Sequence, residues 1–195
     1  MDTKIIFALV ALVLIVAASV PYIVDMLKGK TKPHLYTWLV WSITTGIAAA
    51  GVFYGNGGYP ALTTGVGAAL SFIIFFLSFK YGTKDITTGD KLALGFCLVA
   101  ILIWVGLHNP LGSVVLAAAI DIAAYWPTVR KTYTAPWSEP LFSWALWIAT
   151  PFFSILALSA YNIFTLVNYV PIIVVNIAFL ALCLIRRKVV PKPAV

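Results

Sequence analysis

The chain has 195 residues, 62% of them hydrophobic and 10% charged, with a net charge of +7 at pH 7. An average soluble domain carries roughly 25% charged residues, and a fold of this length could not hide so much apolar surface from water. A water-soluble domain is therefore excluded, and because the basic residues sit in short loops and the tail, so is the basic face of a nucleic-acid-binding domain.

Seven apolar segments follow in chain order, at about 5–22, 35–54, 60–79, 92–107, 111–129, 141–161 and 164–185. A helix needs roughly 20 residues to cross ~30 Å of hydrocarbon, and backbone groups in lipid must pair internally, so these runs are expected to be transmembrane helices. The fourth is the shortest. The first has the basic start and small-residue end of a signal peptide, but its end matches a later helix end around Pro127, so it is expected to be a retained helix. Cys97 and Cys183 fall inside apolar segments, where free thiols act as packing residues.

Twelve of the thirteen Lys and Arg residues fall on one side of this arrangement: Lys28, Lys30 and Lys32, then Lys80, Lys84 and Lys91, then Arg130 and Lys131, then Arg186, Arg187, Lys188 and Lys192. The opposite loops, near 55–59, 108–109 and 162–163, carry none. The positive-inside rule then puts the N-terminus outside and the C-terminus in the cytoplasm. Only an odd number of spans separates the charges in this way, which supports a fourth helix.

Pro21, Leu35, Trp38, Trp41, Thr44 and Asn56 recur as Pro127, Leu141, Trp144, Trp147, Thr150 and Asn162, every pair 106 residues apart. The chain is thus an internal repeat. Its expected fold is all-α and integral to the membrane, with seven helices as two three-helix bundles joined by a linker helix (3+1+3). The first repeat covers about 4–81, the linker 91–108, the second repeat 110–188 and a cytoplasmic tail 189–195. An odd linker gives the repeats the same orientation, related by an axis along the membrane normal.

The stretch from Pro127 through Trp137-Ser-Glu-Pro to Trp147 resembles the second repeat of the SWEET and PQ-loop transporter superfamily. There a proline at a helix end precedes a short basic loop, a Ser-x-Pro-like turn and a helix that starts with aromatics. The stretch from Pro21 to Trp41 repeats this more loosely. Tyr22 and Thr128 stand where the family has its glutamine. The resemblance implies a facilitator or exchanger of small polar molecules such as sugars, amino acids or a nucleoside. Alternating access would run at the interface of two repeats, with no cofactor.

A proline inside a helix frees the carbonyl four residues earlier. Pro21 would free Ala17, Pro127 would free Ala123, Pro151 would free Trp147 and Pro171 would free Val167. Pro151 and Pro171 read equally well as tolerated kinks. The matched placing of Pro21 and Pro127 favours hinges or gate elements near the cytoplasmic end.

Asp121 is the acidic residue well inside a predicted span, and Ile15 is its counterpart in the first copy. Such a residue is costly in lipid and is a functional candidate by default. It reads as a substrate-bonding or proton-coupling group, or as a neutral carboxyl bonded to a neighbouring helix. Tyr125 lies one turn further on the same face. Asn176 lies mid-depth in the last helix, with Ser71 as its approximate counterpart. Asn176 and Asn168 read either as pocket residues or as helix–helix bonds. Trp38 and Trp144, near helix ends, are expected in the interfacial belt, as are Tyr133 and Trp137. Trp41 and Trp147 lie one turn deeper and would wall a site for a small polyol or flat ring. Gly65 and Gly67 are expected to allow close helix packing.

The candidate substrate site is therefore Trp41, Ser71, Asp121, Tyr125, Trp147 and Asn176. The expected partners are a small-molecule substrate and the bilayer, with a homo-oligomer compatible with the sequence, and the location is a prokaryotic plasma membrane. A seven-helix receptor or sensor that binds without transporting is the other class. A retinal protein would need a lysine in the middle of the last helix, where there is none before Arg186. An enzyme is not expected. His34 and His108 fall on opposite sides, Asp121 has no acidic partner, and no metal-ligand set or nucleophile motif is present.

Overall fold

The computed structural model describes residues 2–106 and 109–192, with side chains throughout except at 100, 101 and 103–105. His108 lies outside the described residues. The described chain is all helix, without strands. It forms α1 (Thr3–Leu27), α2 (Leu35–Tyr54), α3 (Pro60–Tyr81), α4 (Thr88–Gly106), α5 (Pro110–Ala123), α6 (Tyr125–Thr134), α7 (Leu141–Ala157) and α8 (Ile163–Val189), with a short 3-10 turn at Pro136–Ser138.

The helix starts are written locally. Asp2 caps α1 by accepting from the Lys4 amide, and Asn109 caps α5 by accepting from the amides of Leu111 and Gly112. Pro60 and Pro110 occupy first-turn positions, where a missing N–H costs nothing. Asn162 and Thr165 form a reciprocal capping box at the start of α8.

Five helical stretches are long and apolar enough to cross a membrane: α1, α2, α3, α5 and α6 taken together (Pro110–Thr134), and α8. α7 is apolar but has only 17 residues, ending at Ala157 rather than near 161. The outside of the bundle is apolar, unlike that of a soluble protein. Ile6, Leu9, Val13, Val16, Val20, Val24 and Leu27 of α1 are all exposed, at three- and four-residue intervals that define one face. Thr37, Ser42, Thr44, Thr63, Thr64, Thr150 and Ser154 are buried. Aliphatic residues outside and hydroxyls between helices suit lipid, where small polar side chains bond across the packing.

In the packing, α3 touches both α1 and α2, and α8 touches both α5 and α7. Across the middle, α1 runs along α7 and α2 along α5, while α4 rests on α5, α2 and α6. The largest core cluster lies in this middle, around Tyr22, Trp38, Trp41, Tyr125, Trp144 and Phe179.

Four sequence expectations change. The segment at 111–129 is broken at Ala124, and only the second of the two matched prolines breaks its helix, because α1 runs through Pro21. The broken backbone is held from α2: the Thr37 hydroxyl donates to the Ala124 carbonyl at 2.9 Å, and the Thr128 hydroxyl donates to Thr37 Oγ1 at 3.0 Å. Trp38 and Trp144 are not belt residues. They are 4% and 1% exposed, because their rings face the other repeat rather than the helix exterior. Gly65 has open space where a Cβ would be, and at Gly67 a Cβ would meet only ordinary contact with Ile15 at 3.6 Å, so neither enforces close packing. Lys131 is a buried residue of α6 and not a free loop charge. Cys97 and Cys183 are buried free thiols, as expected.

Candidate functional site

A cavity of about 140 Å³ lies among α1, α2, α3, α5, α6, α7 and α8. All six sequence-derived site residues line it: Trp41, Ser71, Asp121, Tyr125, Trp147 and Asn176. Ile15, the counterpart of Asp121, lines it too, as do Trp38, Trp144 and Thr150. The hinge candidates Pro21 and Pro127 are not among its lining residues. Sequence reading missed Thr45, Thr63, Thr64, Ser154 and Tyr169. A hydroxyl in a membrane helix so often serves its own backbone that its sequence position alone carries little signal.

One wall is aromatic. The Trp38 and Trp41 centroids are 5.2 Å apart, and those of Trp144 and Trp147 are 5.0 Å apart. The pairs then cross between the copies, Trp38 to Trp147 at 5.7 Å and Trp41 to Trp144 at 6.0 Å. Since Trp38 corresponds to Trp144 and Trp41 to Trp147, these two cross-contacts are the same contact made twice. Tyr125 packs edge-on against Trp41 at 4.6 Å.

Several of the polar groups are committed to one another. Thr44 Oγ1 donates to Asp121 Oδ1 at 2.5 Å, and Trp41 Nε1 donates to the Asp121 carbonyl at 3.1 Å. Both residues come from α2, so the acid is tied to the first repeat. Tyr125 donates its hydroxyl to Asn176 Oδ1 at 2.5 Å, and Asn176 Nδ2 donates to the Trp147 carbonyl at 3.1 Å. Asn176 thus joins α6, α7 and α8. The Asp121 carboxyl makes its helix–helix bond through one oxygen and faces the cavity as well, so both readings of this residue have a structural counterpart.

No family model, curated protein or solved structure matches the chain.

Below the tryptophans lies a second polar layer, at the end of the bundle that carries the basic loops. Lys131 and Glu139 are paired there at 4% and 1% side-chain exposure. Glu139 also accepts from Trp144 Nε1 at 2.9 Å, Lys131 donates to the Lys32 carbonyl at 2.7 Å, and Arg187 donates to the Glu139 carbonyl at 2.6 Å. The Trp144 indole therefore links the cavity wall to a buried ion pair.

Beside it, Arg130 donates to Asp90 at 3.1 and 2.7 Å and to Asp85 at 2.9 Å. His34 Nε2 lies 3.4 Å from Asp90 Oδ2 without forming a hydrogen bond, and the contact becomes ionic only when His34 is protonated. Burial alone would raise the Asp90 carboxyl, but the bonds from Arg130 and Thr87 outweigh it and hold the group at about 2. Burial lowers His34 below its ordinary 6.5, despite the pull of Asp90. Among the described residues, no three His, Cys, Asp or Glu side chains come together as a metal site.

Proposed function

We propose that this protein is a membrane transporter of a small polar solute, working by alternating access between two repeats in a 3+1+3 arrangement. The observation that carries the reading is the doubled tryptophan contact at the cavity. Trp38–Trp147 and Trp144–Trp41 are one contact repeated under exchange of the copies. The helix neighbours support it. Exchanging the copies turns α1 on α7 into α5 on α2, and α3 between α1 and α2 into α8 between α5 and α7. α4 is left outside this exchange, as a linker would be. A site between two exchangeable halves can be opened from either side by rocking one half on the other.

The basic loops supply the orientation, with the N-terminus outside and the C-terminus in the cytoplasm of a prokaryotic plasma membrane. The repeat motif and its layout favour the SWEET and PQ-loop superfamily. The facilitator and proton-coupled versions differ in what Asp121 does.

The test is uptake by proteoliposomes of a panel of sugars, amino acids and nucleosides, with and without an inward proton gradient, for the wild type and Asp121→Asn. Saturable uptake supports transport. Stimulation by the gradient that Asp121→Asn removes makes Asp121 the coupling group. No uptake of any solute by folded protein favours a sensor on the same scaffold.

A further inference from the structure

The geometry points to a compact organic cation, a protonated or quaternary amine, as the occupant of the cavity, with Asp121 as its counter-anion and the Trp41, Tyr125 and Trp147 rings as its wall. This rests on the cavity being the solute site of the transport reading.

The charge balance comes first. Asp121 is 6% exposed and lines the cavity. Among the described residues no Lys, Arg or His lines it, and only one carboxyl oxygen, Oδ1, has a hydrogen-bond donor. A buried carboxylate without a counter-ion is costly, and a cationic ligand supplies the missing charge.

The aromatic wall comes second. Trp38, Trp41, Tyr125, Trp144 and Trp147 line the cavity together with Asp121. Trp41 Nε1 is spent on the Asp121 carbonyl and Trp144 Nε1 on Glu139, so these two indoles offer a solute their rings rather than an N–H. Indole rings attract ammonium groups.

Size comes third. A cavity of about 140 Å³ is close to the ~150 Å³ that holds one benzene. That favours a solute well below a disaccharide in bulk.

The experiment measures binding to the full-length protein in detergent, by calorimetry and tryptophan fluorescence. The probes are choline against its neutral isostere 3,3-dimethylbutan-1-ol, and benzylamine at pH 7 against benzyl alcohol. Each cation is expected to bind about tenfold or more tightly than its neutral partner. Asp121→Asn should erase that preference. Trp147→Leu should lower choline affinity several-fold, which keeps the test open if the Asp121 variant does not fold. Equal binding within each pair overturns the inference, as does a preference kept by folded Asp121→Asn. Saturable uptake of a neutral sugar or nucleoside with no binding of either cation also sinks it and leaves the transport reading standing. Selective binding of choline without any uptake would sustain the cation site and remove transport.

Discussion

Asn176 donates its side-chain amide to the backbone carbonyl of Trp147, the one that Pro151, four residues later, cannot bond. The carbonyl that Pro151 leaves without its helix donor is thereby bonded from α8, and the same amide receives the Tyr125 hydroxyl. This gives a double-mutant test. Asn176→Leu leaves a carbonyl and a hydroxyl unpaired in a buried site, at about 1–3 kcal/mol for each. Pro151→Ala restores the N–H that the carbonyl lacks. The melting temperature in detergent should fall for Asn176→Leu and recover in part when Pro151→Ala is added. Additive effects of the two changes would show that the amide does not serve that carbonyl.

The Lys131–Glu139 pair is almost fully buried, at 4% and 1% side-chain exposure. Breaking a buried pair by removing one member typically costs about 3–5 kcal/mol, because the other charge is left unpaired. Lys131→Met and Glu139→Leu should each lower the melting temperature strongly. The double variant Lys131→Met/Glu139→Gln should be less damaged than either, since a glutamine oxygen can still accept from Trp144. A double variant that melts lower than both singles would refute this account.

Most of the fold could be read from residue pattern, and much of the cavity too. Apolar runs gave the helices, because in lipid a long apolar run has no other way to satisfy its backbone. The repeat put Trp41 and Trp147 in equivalent places, and the cost of an acid in hydrocarbon singled out Asp121. The losses have a common cause. Trp38, Trp144, Lys131 and Glu139 lie near helix ends, where sequence suggests an interface or a loop. Their burial comes from tertiary contacts: Trp38 and Trp144 pack across the copies, Lys131 reaches the Lys32 carbonyl, and Glu139 is held by Lys131, Trp144 and Arg187. The break at Ala124 was foreshadowed by Pro127, yet Pro21 occupies the matching place in an unbroken α1. The difference lies in the neighbours: Thr37 bonds the Ala124 carbonyl, a contact that reaches across 87 positions in the chain.

Stability should fall in two steps as pH is lowered. His34 is depressed below 6.5 by burial, so the unfolded chain binds its proton first. Its contribution is full above about pH 6.5 and is lost as pH drops below that value. Asp90 is held at about 2 against an ordinary 3.8, so its contribution survives to lower pH and is lost between those values. The groups facing His34 are Asp90, Arg130 and Lys131. Melting temperatures from about pH 7 to 5 should decline for the wild type and stay flatter for His34→Gln. An equal decline in both would clear His34 of the upper step.

The two matched prolines should not be equivalent in transport. Pro127 follows a real break, with Ala124 between α5 and α6, whereas Pro21 sits within continuous α1. Pro127→Ala returns an N–H to the Ala123 carbonyl and removes the ring clash, which favours a continuous helix by up to about 3 kcal/mol. The Ala124 carbonyl is also held by the Thr37 hydroxyl of α2, so the break is tied to the first repeat. If the break is a hinge for closing the end with the basic loops, Pro127→Ala slows uptake about tenfold while the protein stays folded. Pro21→Ala should change the rate much less, because α1 is continuous through Pro21. Rates in proteoliposomes for the two variants, each checked by melting temperature, decide the matter. An unchanged rate for Pro127→Ala would make the break a static feature of the bundle, and a large loss for Pro21→Ala alone would move the hinge to α1.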